Sequence, residues 1–281
     1  MKLLTFMARR FVAGETAEQA VAAVRRLNAK GIKATLDCLG EECRSLEQAQ
    51  QAADEVRRLF KLIADNKLDS NVSVKLTQFG FNLDVQKARE HLLSLLEEAE
   101  RTNNFIRIDM EGSSYTQSTL DLFYDVFKTR KNVGIVIQSM LRRSRKDIED
   151  IIKMGARVRL CKGAYKEPES VAFQSKEEIC ASYDELTKLL LDSGVVHGIA
   201  THDDDRIEAA IRHAAEKGIP KNRFEFQMLY GLRAKRWSEL VEQGFTVRVY
   251  VPYGTHWFPY FYRRLRERKE NVLFVLRNLF S

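Results

Sequence analysis

The sequence predicts an α/β protein, a (β/α)8 TIM-type barrel with an additional N-terminal helix and a C-terminal helix over the barrel mouth. Three observations carry that reading. About eight short β-branched runs alternate with amphipathic stretches of helix length. Glycines punctuate the passage from helix to strand. No Pro/Ser-rich linker or low-complexity tract breaks the alternation, so residues 1–281 read as a single domain, and 44% hydrophobic content is enough to bury a core of that size.

In chain order, a leading helix is expected over 15–29, with Thr16 or Glu15 near its start and Gly31 past its end, suited to plug or shield one end of a barrel. The expected strands are KATLD (33–37), NVSVKL (71–76), FIRIDM (105–110), VGIVIQ (133–138), ARVRLCK (156–162), HGIATH (197–202), RFEFQM (223–228) and TVRVY (246–250). Between them, 45–64, 84–101, 176–192 and 203–217 repeat apolar residues at three- and four-residue spacing, as crossover helices do. Gly155, Gly194, Gly218 and Gly244 follow helical runs where a left-handed cap is wanted. A doubly wound open sheet shares this alternation, but no G-x-G-x-x-G follows any strand.

Lys+Arg 46 against Asp+Glu 39 gives a formal charge of +7, a modest excess that a well-solvated surface accommodates. Cys38, Cys43, Cys161 and Cys180 form no C-x-x-C pair and are too scattered for a disulfide framework, which points to a reducing compartment. No run of about 18 apolar residues occurs. A cytoplasmic location is therefore expected, with peripheral attachment at the inner face of the membrane left open.

Chemistry in such a barrel collects where the strands end. Lys75, Asp109, Gln138, Arg159, Lys162, Thr201, His202, Gln227 and Tyr250 all fall at predicted strand ends. Charged groups in β-branched runs are costly unless paired or bound to a ligand, so their concentration at one rim marks a candidate active site. For any single residue a plain barrel ion pair, such as Asp109 with Arg107 or Arg159, is an equally good account. Past the last strand, 248–280 is dense in aromatics and arginine. On a helix beginning near Pro259, Tyr260 shares a face with Arg263 and Arg264, and two adjacent guanidiniums can grip a small carboxylate. A basic nucleic-acid patch is the competing account, weakened because basic residues are spread along the whole chain.

His91 and His213 are expected on helix surfaces and His197 in a structural role, whereas His202 and His256 fall at the rim. No H-x-x-x-H or H-E-x-x-H spacing announces zinc, so no metal is expected. G-x-S-x-G and P-loop patterns are likewise missing from the sequence.

From Phe11 onward the chain resembles proline dehydrogenases of the stand-alone bacterial type. The resemblance rests on FVAGET (11–16), ATLDCLGEE (34–42), VSVKLTQFG (72–80), IRIDMEGS (106–113), VGIVIQSMLRRS (133–144), RVRLCKGAYKEP (157–168), ATHD (200–203), FEFQMLYG (224–231) and the tail to Phe280. It implies non-covalent FAD, oxidation of L-proline to 1-pyrroline-5-carboxylate by hydride transfer, and onward passage of electrons to a quinone or other acceptor. By the same resemblance Asp109 and Arg159 match catalytic residues, and Lys75, Arg263 and Arg264 would hold the proline carboxylate with Leu229, Tyr250 and Tyr260 around the ring. Met110, Gln138, Gly163, Ala164, Tyr165, Lys176, Thr201, His202 and Gln227 match flavin contacts, and Glu41 with Arg266 matches a gate. In two respects the chain departs from the family. The segment before FVAGET is shorter than in members with an extra helical stretch, and Cys161 stands where an aliphatic residue is usual. The alternatives are a flavoenzyme for another cyclic amine such as hydroxyproline, a flavin-free lyase using Lys75 or Lys162 as a Schiff-base amine, and a nucleic-acid-binding module.

Overall fold

The computed structural model describes residues 10–267, with side chains over 10–262. Eight parallel strands close into a barrel in the order β1 to β8: β1 (Lys33–Cys38), β2 (Ser70–Val74), β3 (Ile106–Ile108), β4 (Val133–Gln138), β5 (Arg157–Cys161), β6 (His197–Ala200), β7 (Phe224–Leu229) and β8 (Thr246–Tyr253). Closure is the pairing of β1 with β8, in the register Thr35 with Tyr250 and Asp37 with Pro252.

The α-helices of the described residues are α1 (Ala17–Asn28), α2 (Leu46–Asp65), α3 (Val85–Arg101), α4 (Ser113–Thr129), α5 (Ser144–Lys153), α6 (Lys176–Asp192), α7 (Asp204–Glu216), α8 (Ala234–Glu242) and α9 (Trp257–Glu267). Their starts follow from local chemistry. Thr16 and Gln19 form a reciprocal capping box on α1, Ser175 and Glu178 do so on α6, and Ser45, Asp84 and Asp203 accept first-turn amides. The four expected capping glycines all hold positive φ.

One expectation is corrected. Helix α1 does not plug an end of the barrel; it packs on the outside against β1 and β8, sealing the seam between the first and last strands. The segment after β8 is thereby free to cross the mouth. Tyr260 and Phe261 of α9 cluster there with Leu39, beyond β1, and with Leu229 and Leu232 at the end of β7.

Strand alternation separates two environments. Leu36, Val72, Ile108, Ile135, Leu160, Ile199, Phe226 and Val249 point outward into the helix-covered core. Their neighbours Thr35, Asp37, Ser73, Arg107, Arg159, Gln227 and Arg248 are buried and polar. They fill the lumen, as the reach of Arg159 from β5 to Thr35 on β1, Ser73 on β2 and Gln227 on β7 shows. Such barrels usually fill their lumen with branched apolar side chains; here polar groups satisfy one another instead. Gly134 and Gly198 make room, because a Cβ at either position would strike Arg107 or Gln227.

Candidate active site

At the C-terminal ends of the strands Asp109 is the hub of a buried network. It follows β3 directly, its amide held by the Val74 carbonyl at 2.9 Å. Its Oδ1 accepts from Arg159 Nη1 at 2.9 Å and from Ser73 Oγ at 3.1 Å. Its Oδ2 accepts from Tyr250 Oη at 2.7 Å and lies 3.6 Å from Lys75 Nζ. Lys75 also lies 3.3 Å from Asp37, whose side chain is wholly buried. Arg159 donates through Nε to Gln227 Oε1 at 2.6 Å, and its guanidinium carbon sits 5.3 Å from the Tyr250 ring centroid.

Burial pushes the Asp37 carboxyl up to about 6 in spite of Lys75. Burial alone would lower Lys75, but Asp37, Asp109 and Glu41 together outweigh it and hold the ammonium above its ordinary range. Burial and the two aspartates likewise hold the Tyr250 phenol well above its usual range, so it remains a neutral donor. Two cations thus face two carboxylates. The network is balanced, and an incoming carboxylate needs positive charge from elsewhere.

Leu229, Tyr250 and Tyr260 fall in one apolar cluster with Trp257 and Phe261. Arg263, Arg264 and Arg266 belong to α9, but their side chains lie outside the described residues. Glu41 is exposed just past β1, near enough to Lys75 to influence its charge.

The remaining rim residues occupy an arc from β3 to β7. Met110 is buried, and Gln138 donates to the Glu111 carbonyl at 2.8 Å. Gly163 turns the chain after β5 at φ +109, where a Cβ would collide with Met140. Ala164 is exposed; Tyr165 packs on Met140, Leu141 and Ala172. The Thr201 amide is held by the Gln227 carbonyl, and His202 Nε2 accepts from the Leu229 amide at 2.9 Å, which leaves its proton on Nδ1. Lys176 opens α6 and is exposed. Lys162, by contrast, is tied to Asp203 at 2.7 Å.

Sequence reasoning missed Asp37, Thr35 and Ser73. The available signal was parity: each shares its strand's inward-facing set with a lumen residue. Arg107 is not a partner of Asp109, since it projects toward the opposite end of the barrel and donates to the Ile135 and Arg157 carbonyls. His213 is not a surface residue either: it is buried on α7 and bonded to Asp192 at 2.8 Å. The structural role expected of His197 holds, with Nδ1 accepting from the Val158 amide at 2.9 Å.

Comparison with known proteins identifies the family. The sequence model of the Proline dehydrogenase family matches residues 20–277. Proline dehydrogenase 1 of Bacillus subtilis subsp. natto is 44% identical over 272 residues, covering 97% of this chain and 90% of that protein. Proline dehydrogenase of Deinococcus radiodurans is 36% identical over 278 residues, with 97% and 90% covered. Among solved structures, proline utilization A (PutA) from Bdellovibrio bacteriovorus inactivated by N-propargylglycine superposes with a TM-score of 0.87 at 26% identity, over 93% of this chain and 32% of that longer one. Matched along nearly its entire length by a family whose barrel it shares, this chain belongs to the proline dehydrogenase family of oxidoreductases.

Proposed function

We propose that the chain oxidises L-proline to 1-pyrroline-5-carboxylate with FAD, and that the electrons pass on to a quinone. The observation that carries this reading is the Lys75–Asp109–Arg159–Tyr250 network at the mouth of a barrel of this family.

The arc from β3 to β7 fits a flavin dinucleotide by its donor set. Gln138, Tyr165, Thr201 and His202 offer side-chain polar groups, and Met110 offers an apolar contact. The turn at Gly163 and Ala164 leaves backbone accessible at the rim. Lys176 stands where the α6 amides favour an anionic diphosphate. Gln227 would complete the set from β7. FAD, when bound, supplies the two-electron acceptor.

Binding is proposed to divide between two groups of residues. Arg263 and Arg264 grip the proline carboxylate beside Lys75, adding the positive charge that the balanced network lacks. Leu229, Tyr250 and Tyr260 wall the ring, exclude water and favour the neutral amine from which oxidation proceeds. Arg159 presents a fixed cation, and Asp109 acts as a positioning residue that aims Arg159, Lys75 and Tyr250. Glu41 and Arg266 are the proposed gate. A Schiff-base role for Lys75 is disfavoured because its neighbours keep it charged.

Among the described residues no helix is long and apolar enough to cross a membrane. Electron delivery to a quinone would thus require contact at a membrane surface or a carrier. The test is a visible absorption spectrum of the purified protein, then anaerobic addition of L-proline. A flavin band that bleaches is expected; a colourless protein, or a band unchanged by proline, overturns the proposal. Hydroxyproline in parallel separates the two cyclic amines.

A further inference from the structure

A cavity of about 570 Å3 opens at the N-terminal ends of the strands, opposite the mouth. Its charged lining comprises Lys67, Arg107, Arg157 and Arg248 against Asp69 and Glu225, four cations to two carboxylates. Both carboxylates are engaged. Arg248 holds Glu225 with two hydrogen bonds, 2.7 and 2.8 Å, and Asp69 pairs with Lys33 at 3.3 Å. Among the described residues neither Arg107 nor Arg157 has a carboxylate within ion-pair distance. Arg107 is 4% exposed, donates to two backbone carbonyls, and has an Nε without a partner. Its guanidinium and that of Arg157 lie 5.0 and 5.5 Å from the same Phe105 ring. His197, the other titratable group on this wall, is kept neutral by burial and by these two arginines, so it adds no charge at pH 7.

Arginine does not shed its proton, so buried Arg107 stays charged beside solvent-exposed Arg157, and an anion bridging the two would supply the counter-charge that this wall lacks. The two guanidiniums on one ring match a doubly charged tetrahedral anion, for which the guanidinium fork is well shaped, and Lys67 adds a further positive charge to the lining. The turns flanking the cavity point the same way. Helix-to-strand turns at Gly31, Gly155, Gly194, Gly218 and Gly244 put glycine in the left-handed conformation, whereas these two put Lys67 and Asn103 there, each at φ 50, and so keep a polar side chain at the cavity rim.

We propose that this lower cavity is a binding site for a phosphate-class anion, held between Arg107 and Arg157 beneath the barrel floor. Its volume admits a small phosphomonoester as well as inorganic phosphate. The test uses the protein as purified, with any bound flavin, in phosphate-free buffer. Inorganic phosphate and glycerol 3-phosphate are titrated separately against chloride at matched ionic strength, and Tm is followed. A saturable rise at millimolar ligand is expected for wild type, lost in Arg157→Gln, whose exposed position makes the fold tolerant of change. Stronger response to the monoester identifies a metabolite site; stronger response to inorganic phosphate identifies a free-ion site. Arg107→Met should lose the same response, and if it does not fold, Arg157→Gln decides alone. A rise equal in wild type and Arg157→Gln, or no rise in either, overturns the proposal.

Discussion

The two polar layers of the lumen, one at the mouth and one at the floor, use the same residue types to opposite ends. At the mouth Lys75 and Arg159 face Asp37 and Asp109, and every charge has its counterpart. At the floor Arg248 holds both oxygens of Glu225, and neither Arg107 nor Arg157 forms an ion pair with a carboxylate among the described residues. Gln227 joins the layers, accepting from Arg159 above and donating to Glu225 below at 3.0 Å. The lesson is that buried cations do not by themselves mark where an anion binds. A neutral network is rigid and aims its members, while an unbalanced one leaves capacity for a ligand.

Acidity separates the layers as well. Burial pushes Glu225 up, but Arg248 overcomes that and brings it down to about 2, below its ordinary 4.5; its stabilisation is present at neutral pH and lost as pH falls from 4.5 toward 2. Asp37, raised from 3.8 to about 6, has the opposite sign: what it contributes is present below 3.8 and lost as pH rises through 6.

The contrast can be broken at several points, beginning with the largest effect. Arg159→Met removes a cation bonded to Asp109, Ser73 and Gln227, and kcat/KM for proline should fall by about 10³-fold; near-wild-type turnover would show that the upper network is structural only. Arg263→Met or Arg264→Met should raise the KM for proline by about 10²-fold while leaving flavin content intact, because charge from α9 is what the balanced mouth lacks. Wild-type proline kinetics in both variants would remove the clamp from the account. Glu225→Ala strands buried Arg248 and should cost about 3–5 kcal/mol in urea denaturation. A cost near zero would mean the floor tolerates yet more positive charge than supposed. Smaller again is the effect of His197, held at about 3 by burial and the nearby arginines. The unfolded chain binds a proton below 6.5 that the folded chain refuses, so this residue alone should lower stability by about 2 kcal/mol at pH 5. His197→Asn should flatten Tm between pH 6.5 and 4, and an unchanged slope would assign the acid sensitivity elsewhere.

Much of the barrel was legible because its outward faces obey a simple rule. VGIVIQ coincides with β4, and Lys176–Asp192 is the helix its apolar spacing announces. Rim residues were legible too, since a lysine or arginine in a β-branched run advertises its own cost. Asp37 was not, because KATLD reads as an ordinary strand until its inward parity is paired with Thr35 and its neighbour Lys75 is seen in space. Arg107 and Asp109 lie two residues apart and share a face, yet they serve opposite ends of the barrel, a distinction of height along the strand that no pattern of residue types conveys. The place of α1 was illegible for a similar reason: amphipathic spacing says that one face is covered, not what covers it.

That helix also bears on how the chain reaches its final form. Because α1 leans on β1 and β8 together, the first helix of the described residues shares its docking surface with their last strand. During synthesis the ring cannot shut, nor α1 find its full seat, until β8 has left the ribosome, so this long-range contact belongs to the closing stage of assembly. A nascent chain halted before residue 246 should accordingly expose the apolar stripe of α1 to chaperones, and release of that stripe should coincide with ring closure.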